Sequence, residues 1–462
     1  MSVRLLHYSD LETALDDPGG TAALAGAITA RRDDGTVVLG SGDNTAPGAL
    51  SLATEGRASF HFFRAVAPEA DTFGNHEFDF GRETARDLAA EGPQPWLCAN
   101  ARRGGSRFAA DVTDRSRLVD ADGTAVGVVG VAHPDTDTMN PGAAGVRFID
   151  PVPVVRKEAA LLCERGAEYV VVVSHCGHGD ERIARETDVD AVLGGHVHDV
   201  HTDTIDGTAI VRPGRAGRYF SEVVLDTAGA GTGTGTRTAT VHVHEVDGEH
   251  VDEELAATLR DQLAAHGLDE VVATVDDPIE RSEEEATVAE SRVGNFVTDA
   301  LRWRAGTDVA LSPPGGIRSG DPLAGDVTVA ELVGLLPYED DLAVVELTGE
   351  RLREAFVAVP FGYHDDNYPD RFCSHVSGIR LVWDDEAGEL VDATVDGDPI
   401  DPDRSYTLAV ADYLVETSHV NAAFDEGDVV ERLGLAREAV IDYAREVGID
   451  PEIEGRIERP TL

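Results

Sequence analysis

Short aliphatic and β-branched runs recur through the first half of the chain, at 3–8, 36–40, 125–131, 169–174, 190–194 and 208–211. Runs of this length, bounded by Gly, Asp, Asn and Ser, predict strands. Alanine-rich segments lie between them, at 20–32, 51–66, 82–91, 152–165 and 179–187, and predict helices. Strand and helix in alternation predict an α/β domain. Two further strands, 219–225 and 238–246, flank a Gly/Thr tract at 227–238 that reads as a hairpin tip. His242 and His244 alternate with Val241 and Val243, so both fall on one face of that strand, read as solvated.

A helical pattern over 252–266 stops at Gly267, and the domain joint is placed there. The expected boundaries are 1–250, a linking helix at 251–268, and 269–462. The second domain mixes helices (290–305, 328–336, 348–358, 432–447) with strands (307–312, 341–347, 378–384, 405–411), as in a mixed α/β or α+β fold.

Composition narrows the class. Among 462 residues, 42% are hydrophobic and 27% charged, which excludes collagen-like, coiled-coil and largely disordered chains. Acids number 87 against 38 bases, a net charge of −49, and Lys157 is the single lysine. Such self-repulsion is tolerable where strong salt screens it, so the chain reads as that of a halophile. The same balance argues against nucleic acid as a partner, because phosphate contacts need clustered bases. Cys98, Cys163, Cys176 and Cys373 form no C-x-x-C pair and no disulfide framework. Cys163 is expected in the core. No signal peptide or membrane-length apolar run is read, so the expected location is the cytoplasm.

Five short motifs stand where the strands of the first half end: Ser9-Asp10-Leu11-Glu12, Gly42-Asp43-Asn44, Gly74-Asn75-His76-Glu77, Ser174-His175 and Gly194-Gly195-His196-Val197-His198. Ligands of α/β sheets gather outside the carboxyl ends of strands. Asp, Asn and His arriving there together are ligands for divalent cations of borderline to hard character. Any one motif is weak, since a Gly-Asp pair is ordinarily a turn. Five in series at strand ends are a strong signal.

These motifs resemble those of the calcineurin-like metallophosphoesterases, and FGNHEFDFG at 73–81 resembles the 5′-nucleotidase family within them. The resemblance implies a four-layer αββα sandwich followed by a mixed α/β nucleotide-recognition domain. It implies two divalent metal ions, Mn²⁺ first, with Mg²⁺, Zn²⁺ or Co²⁺ as alternatives. Asp43, Asn75, His175 and His196 would hold one ion. Asp10, Asp43 and His198 would hold the other, with Asp43 bridging. The family's first motif is Asp-x-His, whereas this chain has Glu12 in the histidine's place. Glu12 as a ligand would favour harder ions, Mn²⁺ or Mg²⁺ over Zn²⁺. His76 and Asp79 match the family's catalytic pair.

The second half resembles the family's substrate domain. Val293-Gly294-Asn295-Phe296 matches its opening helix, and Gly315-Gly316-Ile317-Arg318 its phosphate loop. Leu336-Pro337-Tyr338 and Asp412-Tyr413 match its two base-stacking aromatics. Arg318, Tyr338, Tyr413 and Asn75 are therefore the expected substrate contacts. Three departures stand out: Pro313-Pro314 before the phosphate loop, Glu416-Thr417-Ser418-His419 in place of a Gly-Gly-Asp loop, and Thr287 near the place of a family arginine. Arg292 is a candidate substitute for that arginine.

The implied activity is release of phosphate from nucleotides by in-line attack of a hydroxide held between two metals. A 2′,3′-cyclic nucleotide phosphodiesterase, a nucleotide-sugar hydrolase and a broader phosphomonoesterase are the alternatives within the class. A non-catalytic nucleotide- or metal-binding protein is the alternative outside it.

Overall fold

The computed structural model describes residues 2–228, 236–282, 285, 289–357, 374–384, 386–387, 389–416 and 421–459. The chain divides into two compact units, Met1–His266 and Gly267–Leu462.

The first unit is layered helix, sheet, sheet, helix. Its smaller sheet has four strands; Ser2–Tyr8 pairs in parallel with Thr36–Gly40 and antiparallel with Tyr219–Ala228. Its larger sheet has six, with parallel Thr124–Ala132, Tyr169–His175, Ala191–Gly194 and Thr208–Pro213 at the centre. Every residue of Tyr169–His175 is buried, as expected of a strand covered on both faces. One core fills the space between the sheets, from Val3, Leu5, Val37 and Leu39 to Val128, Val171, Val173 and Leu193. Fully burying each such side chain contributes roughly 1.5–3 kcal/mol. A second core lies beneath helix Pro151–Glu164, which buries Val152, Val155, Ala159 and Leu162 against the other face of the larger sheet.

Local chemistry sets the helix ends. Asp17 accepts a hydrogen bond from the Gly19 N–H ahead of Pro18–Arg31, and Asp150 does the same from Val152 ahead of Pro151–Glu164. The helix expected over 51–66 is two, Ala49–Thr54 and Ser59–Val66. Glu55 adopts a left-handed φ of 50° before Gly56, which breaks the first of them. Cys163 is exposed, a correction to the core assignment, because it falls beside the buried stripe of its helix. The helix read as a linker, Glu253–Ala265, packs its Leu255, Ala256, Leu259 and Leu263 within the first unit, alongside Pro18–Arg31.

In the second unit a five-stranded sheet includes Val309–Ser312, Asp341–Thr348 and Ser405–Ala411, and a four-stranded sheet includes Ile379–Asp384 and Glu389–Val395. Trp383, Leu381 and Val395 of the smaller sheet share a core with Val345, Leu408 and Phe356. Ser291 caps helix Arg292–Ala305 by accepting the Gly294 N–H. The helix expected from 432 begins at Ala436, because 429–435 instead pairs as an edge strand with Asp341–Thr348.

Candidate metal and phosphoester site

In the first unit the five motifs converge. Asp10 and Glu12 follow strand Ser2–Tyr8, and Asp43 follows Thr36–Gly40. Asn75 and His76 follow the short strand Asp71–Thr72, His175 ends its own strand, and His196 and His198 follow Ala191–Gly194. Four of these residues have left-handed backbones: Asp10 (φ 50°), Glu12 (46°), Asp43 (51°) and His196 (75°). Non-glycine residues avoid that region, and such strain concentrates at functional sites.

Asp43 is the hub. Its Oδ2 lies 2.9 Å from His175 Nε2, and its Oδ1 accepts the His76 backbone N–H at 2.7 Å. Asp43, His175 and His196 bring ligand atoms within 4.8 Å of one another, and so do Glu12, Asp43 and His76. Membership of both clusters is what a bridging carboxylate requires. Asp10 accepts the His196 N–H at 3.0 Å, and its carboxylate lies 3.8 Å from His198 Nε2. Glu12 reaches His198 Nε2 at 3.3 Å, and Asn75 Oδ1 meets His196 Nδ1 at 3.0 Å. The Ser41 carbonyl accepts from His175 Nδ1 at 2.7 Å, which aims Nε2 at Asp43.

These are carboxylates, imidazoles and one amide oxygen with little protein between them, a donor set that fits divalent cations. Burial would discharge both Asp43 and His175, but their mutual attraction holds the carboxylate low and the imidazole high. Burial, then the charge of His175, pushes His196 down to about 3, so its ring stays neutral, the form that binds metal. Gly74 leaves room for this contact: a Cβ there would collide with Asp43 Oδ1 and His175 Nε2.

Beside the cluster, His76 Nδ1 lies 3.0 Å from Asp79 Oδ2. A carboxylate only accepts, so the hydrogen sits on Nδ1 and the ring is fixed with Nε2 on its far side.

In the second unit the Gly-Gly-Ile-Arg loop and Tyr338 come together. The Tyr338 hydroxyl donates to the Gly315 carbonyl at 3.3 Å, and the Arg318 N–H donates to Leu335 O at 3.0 Å. Tyr413 is exposed at the end of strand Ser405–Ala411, where the Asp412 N–H donates to Asp341 O at 2.8 Å. Asp340, two residues past Tyr338, is pushed up to about 6 by burial and by Asp412 and Glu416. Arg292 sits at the start of helix Arg292–Ala305. Its guanidinium is held by Asp277 and by the carbonyls of Pro278 and Pro451. Thr287 and 417–419 lie outside the described residues.

Residues 3–200 match the calcineurin-like phosphoesterase family model, and 271–426 match the 5′-nucleotidase C-terminal domain model. The chain belongs to the family that joins these two domains. It is 23% identical to the trifunctional nucleotide phosphoesterase protein of Bacillus subtilis, over 99% of this chain and 35% of that one, so it spans about a third of that relative. It is 26% identical to a 5′-nucleotidase of Diplobatis ommata, over 70% of this chain and 63% of that one. The fold matches a 5′-nucleotidase precursor from Thermus thermophilus with a TM-score of 0.79, at 23% identity and full coverage of both chains.

The phosphoesterase domain also uses residues that sequence reasoning passed over. Glu77 is buried and accepts the N–H groups of Asp43, Asn44 and Gly74 at 2.9, 2.9 and 2.6 Å, binding two ligand loops together. Asn140 donates to Asp79 Oδ1 at 2.6 Å and to the Asn75 carbonyl at 2.8 Å. His133 follows strand Thr124–Ala132, and its ring centroid lies 5.0 Å from that of His196. Glu77 sits inside a motif already singled out. Asn140 carried no local signal, since a lone Asn has many ordinary roles. Among the described residues, no helix is long and apolar enough to cross a membrane.

Proposed function

We propose that this chain is a divalent-metal-dependent phosphohydrolase that releases phosphate from nucleotides. The observation that carries the reading is the convergence of Asp10, Glu12, Asp43, Asn75, His175, His196 and His198 around one carboxylate, beside the His76–Asp79 pair.

Asp43, Asn75, His175 and His196 would hold one cation. Asp10, Asp43, His198 and Glu12 would hold the other, and two carboxylates beyond the bridge suit Mn²⁺. Such ions supply Lewis-acid polarisation of the phosphoryl group and activation of water. His76, steadied by Asp79 at Nδ1, donates from Nε2 in its imidazolium form to a phosphoryl or leaving oxygen as charge builds there. Asn140 holds Asp79 in place. In the C-terminal domain Arg318 grips phosphate oxygens through its planar fork. Tyr338 and Tyr413 offer rings to the base, a contact worth about 1–3 kcal/mol per stacked base. The acid excess favours a salt-rich cytoplasm as the place of work.

The test is phosphate release from AMP and from a 2′,3′-cyclic nucleotide, in Mn²⁺ and high salt, with a His76→Ala control. Release from AMP that disappears in the variant supports the reading. Release from the cyclic nucleotide alone moves the substrate class. No release from either substrate by protein with bound metal favours a binding protein.

A further inference from the structure

The phosphoesterase domain carries a polar cavity built from none of the metal-site residues. It is an open hollow of roughly 630 Å³, lined by Arg102, Arg107 and Arg115 together with Asp114, Ser116 and Glu158. Arg102 and Arg107 belong to the hairpin of strands Ala101–Arg103 and Ser106–Arg107, and Glu158 comes from helix Pro151–Glu164.

The charge pattern here runs against the rest of the chain. With 87 acids to 38 bases, almost any arginine has a carboxylate to choose from. Arg115 takes one, Glu158, at 3.6 Å, and Ser116 donates to the same carboxylate at 3.0 Å. Arg102 and Arg107 lie within 4.0 Å of no carboxylate among the described residues. Neutral groups hold them instead. Arg102 Nη1 donates to the Ala99 and Ala101 carbonyls at 2.8 and 2.9 Å. Arg107 Nη1 donates to Thr113 Oγ1 at 2.5 Å and Nη2 to the Ala110 carbonyl at 3.0 Å. These bonds fix both guanidinium planes without neutralising them. Burial above all, with the nearby charges of Arg115 and Arg102, draws the Arg107 guanidinium below its ordinary pKa, while Cys98 and Asp114 work in the opposite sense. Crowded, partly desolvated like charges raise the energy of the fold, and an anion between them lowers it.

We propose that this cavity is a binding site for a small phosphate-bearing anion, held by Arg102 and Arg107 with Arg115 at its edge. Planar guanidinium forks match phosphate oxygens, and their fixed orientation lowers the ordering cost of binding. The cavity is large enough for more than one phosphate group. The site needs no divalent metal, so its fate is separate from that of the catalytic reading.

Isothermal titration of the full chain in EDTA tests this, at the lowest salt at which circular dichroism shows it folded. The probes are inorganic phosphate, pyrophosphate and AMP. One equivalent is expected to bind, more weakly as salt is raised. Equal affinity for all three identifies free phosphate as the ligand, and tighter binding of pyrophosphate or AMP identifies a larger phosphate ester or anhydride. Arg102→Gln with Arg107→Gln should weaken binding by roughly tenfold or more. Asp114→Asn removes an opposing charge and should tighten binding severalfold, an outcome that loss of folding cannot imitate. Wild-type protein that binds no probe in EDTA overturns the proposal. So does affinity indifferent to both sets of substitutions.

Discussion

Single atoms decide the chemistry at His76. Asp79 holds Nδ1 at 3.0 Å and is itself held by Asn140 at 2.6 Å. An amide at position 79 could accept the same hydrogen bond but would bring no negative charge to support a protonated imidazole. Asp79→Asn is therefore expected to lower kcat by about two orders of magnitude with KM little changed. Steady-state kinetics on AMP checks it, and a change confined to KM would move Asp79 from proton chemistry to substrate binding. Residue identity was legible here because His and Asp sit three apart in one motif. Asn140, which arrives from 61 residues beyond Asp79, was not. Glu12 is the converse case. Its identity departs from the family pattern, yet the fold carries it to His198 all the same, at 3.3 Å.

At the scale of elements, buried Asp71 ties three strand ends together. The Tyr8 hydroxyl donates to it from the first strand, Gly42 N–H and Asn44 Nδ2 from beyond the second, and Thr72 N–H from its own. Burial, then the charge of Glu77, pushes its carboxyl from 3.8 up to about 8. The folded chain thus keeps a proton that the unfolded chain releases. This contribution to stability is complete below the unfolded pKa and is lost as pH rises through the folded one. Stability should fall between about pH 4 and pH 8, and Asp71→Asn should flatten that slope. Urea unfolding across this range measures it, and an unchanged slope in the variant would assign the pH dependence elsewhere. Central strands were legible from their unbroken apolar runs. The edge strands 200–205 and 429–435 were not, because their residues are largely exposed and their pairing owes little to apolar burial.

Over the whole molecule, a net charge of −49 sets the dependence on solvent. The Debye length shrinks from about 10 Å at 0.1 M salt to about 3 Å at 1 M, so distant acid–acid repulsion fades first. Tm by circular dichroism is expected to rise steadily as KCl is raised over this range; a flat or falling Tm would remove the salt-adapted reading. Divalent ions should raise Tm further by binding only the folded chain, and EDTA should reverse that increment. The sequence by itself determined the charge balance, the alternation of strand and helix, and the identities of Asp43, His175, His196 and their companions. These are local properties, written in runs of a few residues. Only the tertiary structure decided that His175 faces Asp43 across 132 positions, that Glu77 fastens two ligand loops, and that Arg102 and Arg107 share a cavity. Each of these depends on which strands lie side by side and which loops leave the same sheet edge, and such pairings are fixed by long-range packing that no short window of sequence contains.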